Sequence, residues 1–110
     1  MLFDVQVLQR EGWTVLAVVG DVDLATLPAL RQRSLEATGE RVVLDLSGVD
    51  HLDPLAFGVL HALALRAGRQ GGSFAVVCPD GRPRDLLAET GLDRLIQVVP
   101  ALEELPAQAS

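Results

Sequence analysis

The sequence contains no lysine and no tyrosine, and only 4% of its residues are aromatic. Without lysine, the chain has no P-loop lysine, no Schiff-base lysine and no lysine of the kind that protein kinases use to hold ATP. The scarcity of aromatic rings leaves no stacking platform for single-stranded nucleic acid. A net charge of −6 argues against electrostatic binding of nucleic acid or anionic lipid. We therefore expect neither kind of partner.

Cysteine and long apolar runs are also scarce. Cys78 is the only cysteine, so the chain cannot form an internal disulfide. No apolar run reaches the roughly 18 residues that a membrane span needs. The segment 1–4 lacks the basic and apolar regions of a signal peptide. These features predict a cytoplasmic protein without membrane insertion.

The length of 110 residues suits a single domain. At this size, folding buries about 65% of the unfolded chain's surface, so a core forms without disulfides or metals. We expect one domain over residues 1–110, with an ordered core over about 3–105 and a frayed tail over 106–110.

The first half of the chain changes from strand to helix periodicity. Apolar residues alternate over 3–7, the turn Glu11-Gly12 follows, and the run 13–19 is almost continuously apolar, which predicts a β-hairpin. A helix is predicted to begin near Ala25 or Thr26, because Pro28 is tolerated only in a first turn, and to end at Gly39. Its core face is expected to carry Leu24, Leu27, Leu30 and Leu35.

The second half repeats the alternation of strand and helix. Strands are predicted over 41–46, 73–78 and 95–99, a short helix over 85–90, and a helical turn over 101–105. Asp53 and Pro54 are expected as N-cap and first residue of a helix that ends near Gln70. The pattern predicts an α/β fold with a single mixed sheet of about five strands, made of an opening hairpin followed by parallel βαβ units.

Catalytic signals are weak. The chain has no Gly-x-Ser-x-Gly elbow, and His51 and His61 lack metal-ligand spacing. Cys78 at a strand end is expected to act as a small apolar residue. We predict no enzyme activity, no cofactor and no metal.

Aspartates follow two of the predicted strands, at the sheet edge where α/β sites form. Two interpretations stay open for this group: loop capping, or Mg²⁺ binding as in a response-regulator receiver. The second is weakened by the missing lysine. The residues are Asp21, Asp23, Asp50 and Asp53.

An ordered series of segments resembles the STAS domain, as found in bacterial anti-sigma factor antagonists. The series covers about residues 3–105 and comprises the segments 20–26, 42–53, 58–60, 71–72 and 86–95. The resemblance implies a STAS-like sheet with helices packed mainly on one face.

One departure from the family pattern concerns regulation. Switched members carry Asp-Ser-Ser/Thr-Gly at the start of the second helix, and the partner kinase phosphorylates the second hydroxyl. This chain has Asp53-Pro54-Leu55-Ala56, so Leu55 occupies the acceptor position and has no hydroxyl. No phosphorylation is expected there, and Ser47 or Thr26 is not expected to replace it.

The resemblance implies binding to an anti-sigma factor of kinase-like ATPase fold, and hence control of sigma-factor-dependent transcription. An alternative partner is the ATPase of an ABC lipid transporter, and a homodimer is left open. Leu55 and Phe57 are expected to form an exposed apolar patch. Gly58 is costly inside a helix, so it indicates close approach either of a partner or of the chain's own sheet. The expected partner-binding residues are Asp23, Asp53, Pro54, Leu55, Ala56, Gly58 and His61.

Overall fold

The computed structural model describes residues 3–37 and 41–106. They form one five-stranded sheet in the order β1-β2-β3-β4-β5. β1 pairs antiparallel with β2, and all the other neighbours are parallel. The strands are β1 (Phe3–Arg10), β2 (Trp13–Val22), β3 (Arg41–Leu52), β4 (Ser73–Val77) and β5 (Gln97–Val99).

Three helices connect the parallel strands: α1 (Leu27–Glu36), α2 (Ala56–Arg69) and α3 (Arg82–Thr90). The strand order follows the chain order, so successive right-handed crossovers place every helix on the same face of the sheet. The predicted mixed α/β sheet with helices mainly on one face is confirmed. The main core lies between this face and the helices, and includes Leu16, Leu30, Leu44, Leu60 and Leu87, each at most 1% exposed.

The opposite face is covered by a segment that follows β5. Trp13, Val15, Val43, Ala75 and Val77 form a second apolar cluster there, together with Leu105. Residues 101–106, which we call the C-terminal strap, contain a short 3₁₀ helix, Leu102–Glu104. The predicted helical turn is therefore present.

Two side chains hold the last described residue of the strap. The carbonyl of Pro106 accepts hydrogen bonds from Trp13 Nε1, at 2.8 Å, and from Arg41 Nη2, at 3.3 Å. The Arg41 guanidinium also lies 4.4 Å from the centre of the Trp13 ring. The predicted fraying is thus wrong at Pro106, and the rest of that tail, 107–110, lies outside the described residues.

Several element boundaries differ from the prediction. β3 extends to Leu52, α3 begins at Arg82 rather than Asp85, and β5 begins at Gln97 rather than Leu95. Helix α1 ends at Glu36 and Ala37 is extended, so the helix ends before the predicted Gly39, which itself lies outside the described residues. The opening hairpin turns at Glu11-Gly12, as predicted, with positive φ at both residues. This is the backbone of a type I′ turn.

The expected core face of α1 is only partly correct. Leu30 is fully buried and Leu27 is half-buried, but Leu24 is 70% and Leu35 40% exposed. Leu24 precedes the helix, in a turn whose side chains do not follow the helical period. The helical face instead buries Ser34, whose hydroxyl donates to the Leu30 carbonyl at 2.7 Å.

Candidate docking site at the start of α2

Two loops meet at the carboxyl ends of β2 and β3. The backbone N–H of Asp53 donates to the Val22 carbonyl at 2.8 Å and joins the β3–α2 loop to the end of β2. Leu24 lies two residues after Val22 and is 70% exposed, and Leu55 lies two residues after Asp53 and is 59% exposed. The carboxyl edge of the sheet thus presents an apolar side chain from each loop.

Asp23 organises the loop before α1. Its Oδ1 accepts hydrogen bonds from the N–H groups of Ala25 and Thr26, both at 3.0 Å. Thr26 Oγ1 accepts from the Asp23 N–H at 2.9 Å and donates to the Asp21 carbonyl at 2.8 Å. This reciprocal arrangement resembles a capping box and fixes the turn, so helix α1 begins at Leu27, slightly later than predicted.

Asp53 has a similar role before α2. Its Oδ1 accepts from the Leu55 N–H at 2.9 Å, and its carbonyl accepts from the Ala56 N–H at 2.9 Å. This is an Asx turn, and Leu55 rather than Asp53 precedes the first helical residue, Ala56. The predicted N-cap at Asp53 and first helical residue at Pro54 are wrong by two positions, because the turn comes before the helix.

Two residues expected on the docking surface belong to the core instead. The Ala56 side chain is fully buried, and Phe57 is only 7% exposed. The prediction of an exposed Phe57 is wrong, because Phe57 precedes the buried Leu60 by three residues and therefore lies on the side of α2 that packs against the sheet. Pro54, Gly58 and His61 are exposed, as a docking surface requires.

Gly58 faces open space. A Cβ built at this position meets nothing within 4 Å, so packing against the chain's own sheet does not explain the glycine. Gly48 shows the contrasting case, because its Cβ would lie 3.0 Å from the Val18 carbonyl oxygen, beside a register shift between β2 and β3.

An exposed apolar stripe runs along α2 from its start. The stripe consists of four residues with the spacing i, i+3, i+7 and i+10, which places them on one side of the helix, and all four are exposed. The opposite side buries Leu60 and Leu63. The sequence analysis did not predict Ala62 and Leu65 as part of the docking surface, although they continue the helical spacing of Leu55 and Gly58. We call the following set the α2 stripe: Leu55, Gly58, Ala62 and Leu65.

Substitute phosphorylation sites are poorly suited to modification. The Thr26 hydroxyl is half-buried and hydrogen-bonded within its turn. Ser47 is exposed, but its hydroxyl donates to the Asp45 carboxylate, which would repel an added phosphate.

The side chains of the described residues form no metal-binding cluster. Across residues 3–37 and 41–106, no three His, Cys, Asp or Glu side chains form a group that could hold a metal ion. Within the same described ranges, no helix is long and apolar enough to cross a membrane. Cys78 is 1% exposed, and burial raises the pKa of its thiol despite the nearby Arg84 guanidinium. This agrees with an apolar role for Cys78.

Comparison with known proteins identifies the family. The model of the STAS domain family matches residues 4–105. The chain belongs to the STAS domain family. The anti-sigma-F factor antagonist RsfB of Mycobacterium tuberculosis is 29% identical over 91% of this chain and 84% of that protein. The TM1081 homologue of Thermotoga neapolitana is 31% identical over 64 residues, and this match spans only 57% of that relative's length.

Solved structures agree with this STAS assignment. An anti-sigma factor antagonist from Mycobacterium paratuberculosis is 29% identical, with a TM-score of 0.86 over 94% of this chain and 90% of that one. A STAS domain protein from Planctomyces limnophilus is 19% identical and shares the fold, with a TM-score of 0.79 over 94% and 95% of the two chains.

Proposed function

We propose that this STAS protein is a cytoplasmic anti-sigma factor antagonist. It binds an anti-sigma factor of kinase-like ATPase fold through Leu24 and the α2 stripe, and so frees a sigma factor for transcription. The mycobacterial relatives named as antagonists support this role, since they align over most of the chain. The proposed role is binding, without catalysis.

The observation that carries the proposal is the 59% exposure of Leu55, immediately before α2. A large apolar side chain held in water is stabilised when a partner covers it. Because Leu55 has no hydroxyl, the partner cannot release itself by phosphorylating this position. The complex is therefore controlled by the amounts of the two proteins.

The stripe is shaped for a close partner. Gly58 and Ala62 are small and follow Leu55 along the exposed side of α2. Open space above Gly58 lets a partner's backbone approach the helix closely. His61 lies exposed next to the stripe and offers a polar contact at its border.

Charge around the apolar residues favours a basic partner surface. Asp21 and Asp50 lie within the last three residues of β2 and β3, and Asp23 and Asp53 lie in the loops that follow these strands. The Oδ1 atoms of Asp23 and Asp53 are engaged in loop turns, but a carboxylate has further acceptor capacity for arginine or lysine donors. Such charges at the border of an interface mainly accelerate association.

A capture experiment with two tryptophan variants tests the proposal. Gly58→Trp places a bulky side chain in the stripe, and Gly68→Trp is the matched control because Gly68 is also exposed with no atom within 4 Å of its Cβ position. We expect wild type and Gly68→Trp, but not Gly58→Trp, to capture a kinase-like ATPase from the source cytoplasm. Capture of a transporter ATPase instead would contradict the transcriptional role.

The role of Leu55 is tested by replacing it with glutamate and with glutamine. Leu55→Glu adds the charge that phosphorylation brings to switched members, at a helix start that tolerates an anion. We expect Leu55→Glu to abolish partner binding with an unchanged melting temperature, and Leu55→Gln to bind more weakly than wild type but measurably. Equal binding by all three proteins in calorimetry would exclude Leu55 from the interface.

A further inference from the structure

The outer edge of β1 is an unprotected sheet edge. The strand has eight residues, pairs with β2 in a regular register, contains no proline, and carries charges only at Asp4 and Arg10, near its two ends. Natural edge strands are normally shortened, bulged, or marked by lysine or proline, because an open edge pairs with other chains. The other edge of this sheet follows that rule, since β5 has three residues and is followed by Pro100.

Exposed apolar side chains lie on both faces of this edge. Val7, on the helix face, is 47% exposed, and Leu8, on the opposite face, is 48% exposed. The helices do not cover Val7: a groove lined by Val7, Gln9, Thr14, Arg33 and Glu36 separates β1 from α1. The strand is therefore accessible from its edge and from both faces.

The hairpin geometry determines which backbone groups point outward. The two-residue turn makes Arg10 and Trp13 a hydrogen-bonded pair, and such pairs alternate along an antiparallel ladder. The N–H and C=O groups of the odd-numbered residues therefore point away from β2. They are Phe3, Val5, Val7 and Gln9.

We propose that β1 pairs antiparallel with β1 of a second copy of this chain, with the two-fold axis at Val7. This register places Val7 opposite Val7 of the other copy and Val5 opposite Gln9, so outward-pointing groups meet each other. It also places Asp4 directly opposite Arg10, twice by symmetry. The two sheets become one continuous sheet with an isologous interface.

The charges of β1 favour this register, and they favour a second copy of this chain as the partner. Asp4 and Arg10 are the only charged residues of β1, both are exposed, and neither has an ion-pair partner among the described residues. Moving the axis by one residue to Gln6 places Asp4 opposite Leu8 and leaves Arg10 without a residue of β1 opposite it. Opposite charges that face each other across strands stabilise the pair, and like charges destabilise it.

The dimer leaves the α2 stripe free. β2 and β3 separate β1 from α2 in the order of the sheet, so the new interface and the proposed docking site are at different places. One dimer can hence bind two partner molecules.

Charge exchange tests the register. Asp4→Arg sets arginine against arginine, Arg10→Asp sets aspartate against aspartate, and the double variant restores both pairs. Sedimentation velocity to about 1 mM covers weak association. We expect each single variant to raise the dimer dissociation constant about tenfold, and the double variant to return it to within about threefold of wild type. The single variants change the net charge in opposite directions, so a general charge effect cannot weaken both.

Removal of one outward N–H provides a second test. Val7→Pro deletes a donor that does not bond to β2, so the hairpin is retained, while Val7→Thr keeps the donor and the β-branched shape. We expect Val7→Pro to be a folded monomer, as judged by its melting temperature, and Val7→Thr to dimerise. The proposal is overturned if the wild type is a monomer at about 1 mM, or if its dimer survives Val7→Pro and Asp4→Arg.

Discussion

At the scale of single residues, Gly58 lowers the stability of helix α2. Its position in α2 has open space for a side chain, so Gly58→Ala removes backbone freedom without a clash. We expect the variant to be more stable by about 0.5–1 kcal/mol in urea unfolding. A loss of stability would show that the glycine has a structural role in the free protein.

Glu11 is a second residue of a type that is unfavourable for its backbone conformation. It has φ of 48° at the first central position of the hairpin turn, where asparagine is preferred. We expect Glu11→Asn to increase the free energy of unfolding by about 0.5–1 kcal/mol. Glu11→Ala is the control and should give no gain, because alanine keeps the strain.

Cys78 is expected to be unreactive in the folded protein. Burial raises the pKa of its thiol, so the reactive thiolate is less populated than in the unfolded chain. A thiol reagent at pH 8 should label Cys78 quickly only in denaturant. Since the folded pKa is above the unfolded value, the thiol's contribution to stability is complete below pH 9.0 and is lost above it.

The pH dependence of stability distinguishes the effect of the Cys78 thiol from general alkaline unfolding. Cys78→Ala should be less stable than wild type at neutral pH because it loses buried volume, but its stability should fall less steeply above pH 9.0. Parallel curves for the two proteins in thermal unfolding at several pH values would contradict the assigned cause.

At the scale of secondary-structure elements, the C-terminal strap closes the second core. Leu105 is 7% exposed against that cluster, whereas Leu95 is 67% exposed. We expect Leu105→Ala to cost about 2–4 kcal/mol and Leu95→Ala less than about 0.5 kcal/mol. Fluorescence of Trp13, the only tryptophan, should report the loosening of the strap. Equal effects of the two variants would show that the strap does not stabilise the sheet.

The elements themselves were predictable where one periodicity dominated. The apolar runs of β2, β3 and β4 and the helical period of α2 identified a mixed sheet made of an opening hairpin and parallel βαβ units. Starts of helices were less predictable, because Asp53 forms an Asx turn with hydrogen bonds similar to those of an N-cap. Leu55 was correctly expected outside, but Phe57 was not, because its spacing of three residues from Leu60 places it on the buried side of α2. Leu24 was misplaced because a capped turn interrupts the period before α1.

At the scale of the whole molecule, charge is distributed unevenly along the strands. Four aspartates lie at the carboxyl ends of β2 and β3, either within the last three residues of the strand (Asp21, Asp50) or just after it (Asp23, Asp53). Arg41, Arg66 and Arg69 lie at the opposite end, where β3 begins and α2 ends. A protein with this distribution presents its acidic end to a basic partner during encounter.

Salt should therefore affect the rate of partner binding more than the stability of the complex. Raising the ionic strength shortens the range of these charges, so we expect slower association and a nearly constant dissociation rate. Surface plasmon resonance at several salt concentrations measures both rates. A salt effect confined to dissociation would indicate buried ion pairs instead.

The hydrogen bond between Trp13 and Pro106 also has a consequence for protein synthesis. It joins positions 93 residues apart, and it closes the second core with the last described part of the chain. On the ribosome, the hairpin and its indole emerge before the strap, which completes the second core only after it has left the exit tunnel. Until then, the back of the sheet is exposed to water and to chaperones.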